Sequence, residues 1–351
     1  MLDFLKLYGF MFSISLVGTV ILVLPSFKVA HYLGILDEPG GHKKNKEITP
    51  LLGGLAIFLA IFLAVAYFTT LSDRLLSILI GSLVLVIVGL LDDVYNLKAM
   101  IKLTGQMAAA VVVVLFNPGN FAIFTNYFER IGIPDGFAYL LIIGWIVLMI
   151  NALNLIDGLD GLAAGTAAII FIALAAINYL IWGSTGMLIL QVIAAGACIG
   201  FLFYNFHPAR IFMGDTGSML LGFLLATSYL FSLRGIYGGY LVLGSLFIFA
   251  YPALDTTFAV MRRLYHRASI FGADRGHIHH VLISLGYSVR KTVLTLYLLS
   301  IFFAFIGVVL LYFEVQTSAI IAIGAITFFG ALIFYRHLTL ISRRNGLHLP
   351  G

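Results

Sequence analysis

Leu75-Leu76-Ser77-Ile78-Leu79-Ile80-Gly81-Ser82-Leu83-Val84-Leu85-Val86-Ile87-Val88-Gly89-Leu90-Leu91 contains no charged residue and stops abruptly at Asp92-Asp93. A bilayer core is crossed by roughly 20 apolar residues in a helix, so this run reads as a span that delivers two carboxylates to a membrane face. The pattern repeats on both sides of it. Apolar runs near 4–30, 51–70, 75–91, 101–116, 137–152, 162–182, 187–204, 217–233, 239–262, 292–313 and 317–336 predict eleven spans. The run 101–116 is short, but Lys102 can snorkel and Asn117-Pro118-Gly119 is a stop signal. The stretch Leu7–Leu24 is long enough to remain as a span rather than act as a cleaved leader.

Composition agrees with an all-α polytopic membrane bundle. Of 351 residues, 62% are hydrophobic and 10% charged, and the mean hydropathy is +1.08. A water-facing domain carries about 25% charged residues, so a soluble protein is excluded. Cys198 is the only cysteine, which excludes an internal disulfide. The net charge of +5 is small and follows sidedness rather than one patch, which speaks against nucleic acid as a partner.

Alternate connections and the tail hold fifteen basic residues: Lys43, Lys44, Lys46, Lys98, Lys102, Arg210, Arg262, Arg263, Arg267, Arg275, Arg290, Lys291, Arg336, Arg343 and Arg344. The opposite set holds four, Lys6, Arg74, Arg130 and Arg234. The positive-inside rule makes the first set cytoplasmic, with the N-terminus outside and the C-terminus inside, as an odd span count demands. Ten of the fifteen acids lie at or near the same side: Asp37, Glu38, Glu47, Asp92, Asp93, Asp157, Asp160, Asp215, Asp255 and Asp274. Residues 1–351 read as a single transmembrane domain, its polar content concentrated in inner connections near 31–50, 91–102, 151–161, 205–218 and 263–291.

Each connection admits a plain and a chemical reading. Asp92-Asp93, followed by Lys98 and Lys102, is either a polar helix cap or a divalent-cation or general-base site. Asn151, Asn154, Asp157 and Asp160 recur every three residues and would share one broad side of a helix, or else belong to an Asn/Asp/Gly-rich turn. In Phe212-Met213-Gly214-Asp215-Thr216-Gly217-Ser218 the glycine frees a carboxylate for close approach. The helix starting near Thr216 offers N–H groups to a phosphate, and Phe212 either packs in the core or stacks on a base. Arg275-Gly276-His277-Ile278-His279-His280 suggests zinc or anion recognition, and the nearby arginine with no cysteine favours the anion. Asp37–Lys46, continuing to Thr49-Pro50-Leu51-Leu52-Gly53-Gly54, is a charged loop or a substrate lid. Carboxylates for a cation, cations for phosphates and a ring for a base together suit phosphoryl transfer to or from a lipid. A secondary transporter would place such residues near the bilayer midplane, and a scaffold would not need them.

Leu91-Asp92-Asp93 with Lys102, Asn151–Leu162, Phe212–Ser218, Gly276–His280 and the Pro50–Gly54 glycine pair together resemble the polyprenyl-phosphate N-acetylhexosamine-1-phosphate transferases over roughly 37–285. The His-Ile-His-His order is similar to the WecA/TagO-like branch, which uses UDP-GlcNAc. The muramoyl-pentapeptide branch typically carries three consecutive histidines and then Phe-Glu, which this chain lacks. The resemblance implies transfer of GlcNAc-1-phosphate from UDP-GlcNAc to undecaprenyl phosphate with release of UMP. It implies a Mg2+ cofactor, replaceable by Mn2+, in a bacterial cytoplasmic membrane with the site facing the cytoplasm. A homodimer is compatible with it, and the rival donors are another UDP-HexNAc or UDP-MurNAc-pentapeptide. By resemblance Asp215 and Asn154 hold the metal, Phe212 stacks on uracil and Asp160 hydrogen-bonds it. Lys102 and Arg275 grip the diphosphate, and His277, His279 and His280 shape the sugar-phosphate end. Asp92 deprotonates or orients the lipid phosphate, with Asp93 and Asp157 in support.

Overall fold

The computed structural model describes residues 2–37, 48–121, 129, 132, 134–233, 244–265, 267 and 276–344. The helices are α1 (Leu2–Leu33), α2 (Gly53–Phe68), α3 (Asp73–Tyr95), α4 (Ala99–Phe116), α5 (Asp135–Ile156), α6 (Leu162–Ile177), α7 (Thr185–Asn205), α8 (Gly214–Ser232), α9 (Ala250–Tyr265), α10 (Ile278–Ser284), α11 (Val289–Tyr312) and α12 (Thr317–Arg344). A short antiparallel pair, β1 (Leu36–Asp37) and β2 (Thr49–Pro50), closes the connection after α1 in register Leu36 to Pro50. That pair is a small departure from the all-helical expectation. Local signals set the helix ends. Ser72 and Ser288 cap α3 and α11 by accepting the N–H groups of Leu75 and Lys291, and α3 stops at Asn96 in the left-handed region.

The chain is a polytopic helical membrane protein. Nine helices among the described residues are long and apolar enough to cross a bilayer, and α2 is apolar but shorter. The sequence predicts eleven spans, and the difference is α2 and α8. Every side chain of α8 from Thr216 to Ser232 is shielded by protein. Neighbouring helices rather than lipid surround it, so it carries Thr, Ser and Gly that a lipid-facing helix would avoid. It packs against α2, α3, α5, α6 and α7 and forms the axis of the bundle. At the other extreme α12 leaves Ile326, Phe329, Ile333 and Phe334 exposed, an apolar face of the kind that meets lipid or another protein.

Glycines let backbones meet around the head of α8. A Cβ on Gly217 would lie 2.9 Å from Gly54 Cα, and one on Gly89 would strike Thr216. Gly53 and Gly54 donate their N–H groups to the carbonyls of Phe212 and Met213 (both 3.0 Å), while Phe212 N–H donates to Pro50 O (2.8 Å). The Pro50–Gly54 signature is therefore a clamp on the segment leading into α8. Residues 38–47, with Lys43, Lys44 and Lys46, lie outside the described residues, so the lid reading is untouched by the structure.

Candidate active site

The ends of α3, α4, α5 and α8 converge. Lys102 Nζ, on the first turn of α4, donates to Asp92 Oδ2 (3.1 Å) and to Asp215 Oδ2 (2.7 Å), joining residues 113 positions apart in the chain. An ammonium has three donors, so one remains for a phosphate. Asp92 Oδ1 accepts the N–H of Leu97 (2.7 Å), which ties the α3–α4 turn to the same carboxylate.

Adjacent residues on a helix point about 100° apart, and Asp93 accordingly does something different. Its Oδ1 accepts Asp215 N–H (2.8 Å), and its Oδ2 accepts Thr216 N–H (3.3 Å) and Thr216 Oγ1–H (2.7 Å). Asp93 is thus the N-terminal cap of α8, supplied from another helix. This corrects one expectation: the Asp215 and Thr216 N–H groups at the start of α8 are held by a carboxylate and are not open to a phosphate. Asp93 thereby supports the helix that carries Asp215. Gly214, with φ 66°, makes the approach feasible, because a Cβ there would lie 2.4 Å from Asp93 Oδ2.

The threefold series on α5 is split, which is a second correction. Asn151 exchanges amide hydrogen bonds with Gln106 on α4 (Nδ2 to Oε1 2.7 Å) and lies below the site. Asn154 donates to Ser218 Oγ (2.9 Å) and is a side-chain neighbour of Asp215. The helix ends at Ile156, so Asp157 stands at its C-terminal cap. Burial pushes the Asp157 carboxyl up to about 8, and the charges of Asp215, Asp93 and Asp160 push the same way. Asp160 lies beyond the helix end. Its Oδ2 accepts His207 Nδ1 (2.6 Å) and Ala209 N–H (3.0 Å), while Oδ1 accepts from no described residue. Asn205 stitches this turn to the segment before α8, accepting Gly161 N–H (3.0 Å) and donating to Ile211 O (2.9 Å). On that segment Ile211 and Met213 are buried in the core, whereas Phe212 between them is half-buried and outside the core cluster.

The histidines form a second wall. His277 precedes α10, and its ring lies parallel to that of His279 (5.7 Å, 7°), with His280 at 4.2 Å from His279. His279 packs on Gly158, where a Cβ would sit 2.6 Å from its Nε2, so this wall abuts the end of α5. Arg275 lies outside the described residues. Two residues in the cluster were missed as site residues. Asp255 binds His277 and could have been found as a carboxylate inside an apolar helix. His207, in the quoted Asn205–Ser218 stretch, had no distinguishing signal.

A divalent cation is implied by the resemblance, and the donors present fit one. Asp92, Asp157 and Asp215 offer carboxylate oxygens and Asn154 an amide oxygen, the hard set that suits Mg2+. Burial holds the Asp157 carboxyl high, and the charges of Asp215, Asp93 and Asp160 add to it. No ready cage of three His, Cys, Asp or Glu exists among the described residues. Mg2+ usually keeps waters and substrate phosphates and uses only one or two carboxylates, so none is needed.

A helical membrane bundle that gathers carboxylates, a lysine and histidines at its helix ends has the chemistry of a membrane transferase. Residues 75–233 match the profile of glycosyl transferase family 4. Over 96% of its length the chain is 36% identical to a probable undecaprenyl-phosphate N-acetylglucosaminyl 1-phosphate transferase of Bacillus subtilis (strain 168), covering 91% of that protein. It is 32% identical to a decaprenyl-phosphate N-acetylglucosaminephosphotransferase of Mycobacterium tuberculosis (strain ATCC 25618 / H37Rv), across 91% of this chain and 87% of the relative. It is 30% identical to an undecaprenyl-phosphate alpha-N-acetylglucosaminyl 1-phosphate transferase of Escherichia coli (strain K12), across 80% and 78%. The chain belongs to glycosyl transferase family 4, in its polyprenyl-phosphate N-acetylhexosamine-1-phosphate transferase group.

Proposed function

We propose that the protein transfers GlcNAc-1-phosphate from UDP-GlcNAc to undecaprenyl phosphate at the cytoplasmic face of a bacterial inner membrane, with Mg2+, releasing UMP. The observation that carries this reading is the Lys102 ammonium shared by Asp92 and Asp215, which assembles phosphate-binding chemistry at the ends of apolar helices. The names of the relatives support the sugar and the lipid class.

In this reaction an oxygen of the lipid phosphate forms a bond to the β-phosphorus of the donor. The bond from that phosphorus to the bridging oxygen breaks, and its electron pair leaves with UMP. The lipid phosphate is already anionic, so direct attack needs no covalent enzyme intermediate. Lys102 keeps Asp92 and Asp215 in place and spends its third donor on the diphosphate. Asp92, at the end of α3 beside Lys102, orients the incoming lipid phosphate. Asp160 Oδ1 is available to accept the uracil N3–H while His207 and Ala209 hold the other oxygen. Phe212 stacks on the uracil ring. Asp215 and Asn154 would hold Mg2+, which would neutralise charge on the diphosphate.

Purified protein in lipid nanodiscs, given undecaprenyl phosphate, Mg2+ and a panel of labelled UDP-sugars, tests the reading. Lipid-linked GlcNAc diphosphate should form from UDP-GlcNAc, with UMP as co-product and no turnover in EDTA. Product from UDP-MurNAc-pentapeptide or another UDP-HexNAc instead would replace the donor, and turnover without divalent cation would remove the metal.

A further inference from the structure

Asp255 is an acid for which the reaction described above has no use. It stands in the wall of α9 with 1% of its surface exposed. A carboxylate withdrawn from water needs hydrogen bonds to both oxygens, and it has them. Oδ1 accepts the Ile278 N–H (2.8 Å) and Oδ2 accepts Nδ1 of His277 (2.8 Å). His277 is itself 3% exposed. An ionised carboxylate only accepts, so the proton in this contact belongs to Nδ1. The other ring nitrogen, Nε2, makes no hydrogen bond to a described residue.

The backbone on either side of His277 is fixed as well. Tyr335 Oη, on α12, donates to Gly276 O (2.7 Å), and the Arg262 guanidinium covers the face of Gly276, leaving no room for a Cβ. After it, Ile278 N–H is held by Asp255, and His279 is seated on Gly158 beside Asp157. With both flanks pinned and Nδ1 occupied, the imidazole has one orientation and one tautomer.

We infer that Asp255 is a positioning residue for the transfer: it keeps the His277 proton on Nδ1 and so presents Nε2 as a hydrogen-bond acceptor to the sugar end of the donor. An acceptor nitrogen pairs with a sugar hydroxyl or an acetamido N–H and not with a phosphate oxygen. His277 therefore reads the sugar, while the diphosphate is left to cations. The inference rests on the reading of the site as a UDP-sugar transferase.

The test uses the full chain in nanodiscs with histidine labelled by 15N in both ring nitrogens, and His277→Gln to assign the signal. Near neutral pH the His277 resonances should report a protonated Nδ1 and an unprotonated Nε2. Asp255→Asn turns an amide NH2 toward Nδ1 and should move the proton to Nε2. It should lower kcat by about 10–100-fold, the usual range for a partner that orients a functional histidine. UMP binding should stay unchanged, a split that a general loss of structure does not produce. A wild-type His277 protonated on Nε2, or Asp255→Asn with wild-type kcat, overturns the inference. If Asp255→Asn does not fold, the wild-type spectrum decides alone. If no UDP-sugar is turned over by the wild-type protein, the transferase reading fails, whereas the proton position on His277 is still read from the spectrum.

Discussion

The two walls of the site are held together by opposite means. On the α3, α4 and α8 side, carboxylates crowd around one ammonium, and Lys102 reaches Asp92 and Asp215 at 3.1 and 2.7 Å. On the α9 and α10 side a single buried acid, Asp255, holds a ring and a backbone N–H, and the stacked histidines add bulk and polarity. The first wall is governed by charge balance and should respond to any loss of an anion or a cation. The second is governed by hydrogen-bond direction and should respond to isosteric changes that alter which atom carries a proton. One wall suits a diphosphate and its cation, the other a neutral sugar.

The largest effect is expected where the charge balance is struck directly. Asp215→Asn removes an anion that contacts Lys102 and belongs to the hard-oxygen set. Turnover should fall by about 10²–10³-fold, the scale seen when a preorganised electrostatic group is lost. The fold should persist, because Lys102 keeps Asp92 as a partner. Rate measurements across a Mg2+ titration check this, and wild-type turnover at limiting Mg2+ would break the contrast between the walls.

Phe212 lies on the segment clamped by Gly53 and Gly54, just before Asp215. Phe212→Ala should weaken UMP and UDP-GlcNAc alike, by about 1–3 kcal/mol for one lost stacking contact. The thermal midpoint should move little, since its neighbours Ile211 and Met213, not Phe212, belong to the core. Calorimetric titration with UMP against a thermal melt separates the two. Unchanged UMP binding with a large loss of stability would make Phe212 a packing residue.

The contrast also explains how much was legible in the sequence. Spans and their polar ends were visible because apolar runs stop at charges, as at Leu91-Asp92. Membership of the charged wall was visible too, since carboxylates at a membrane face need a reason. The division of labour was not. Asp92 and Asp93 look alike in the chain, yet the helix turns one to Lys102 and the other to the head of α8, 122 residues away. Likewise, the period of three from Asn151 to Asp160 suggested one shared face, but α5 ends at Ile156 and the last two members follow turn geometry. The sequence marks Asp255 only by its sidedness, because its partner lies 22 positions on, across a long connection.

The smallest effect separates a cap from a reacting group, and Asp93 is the residue to test. All its described hydrogen bonds go to Asp215 and Thr216 at the start of α8. Replacing a capping carboxylate by alanine typically costs about 0.5–2 kcal/mol, so Asp93→Ala should lower the thermal midpoint modestly and reduce turnover through a loosened Asp215. Asparagine caps about as well as aspartate. In Asp93→Asn the amide oxygen can still accept the Asp215 N–H and the Thr216 hydroxyl can rotate to accept from the amide nitrogen, so only the longer contact from the Thr216 N–H is lost. Asp93→Asn should therefore keep the midpoint and most of the turnover, unlike Asp215→Asn, although both delete one negative charge from the same wall. Thermal melts and steady-state rates on the three variants decide the matter. If Asp93→Asn is as inactive as Asp215→Asn while melting like wild type, the Asp93 charge takes part in the reaction and its role as a cap is secondary.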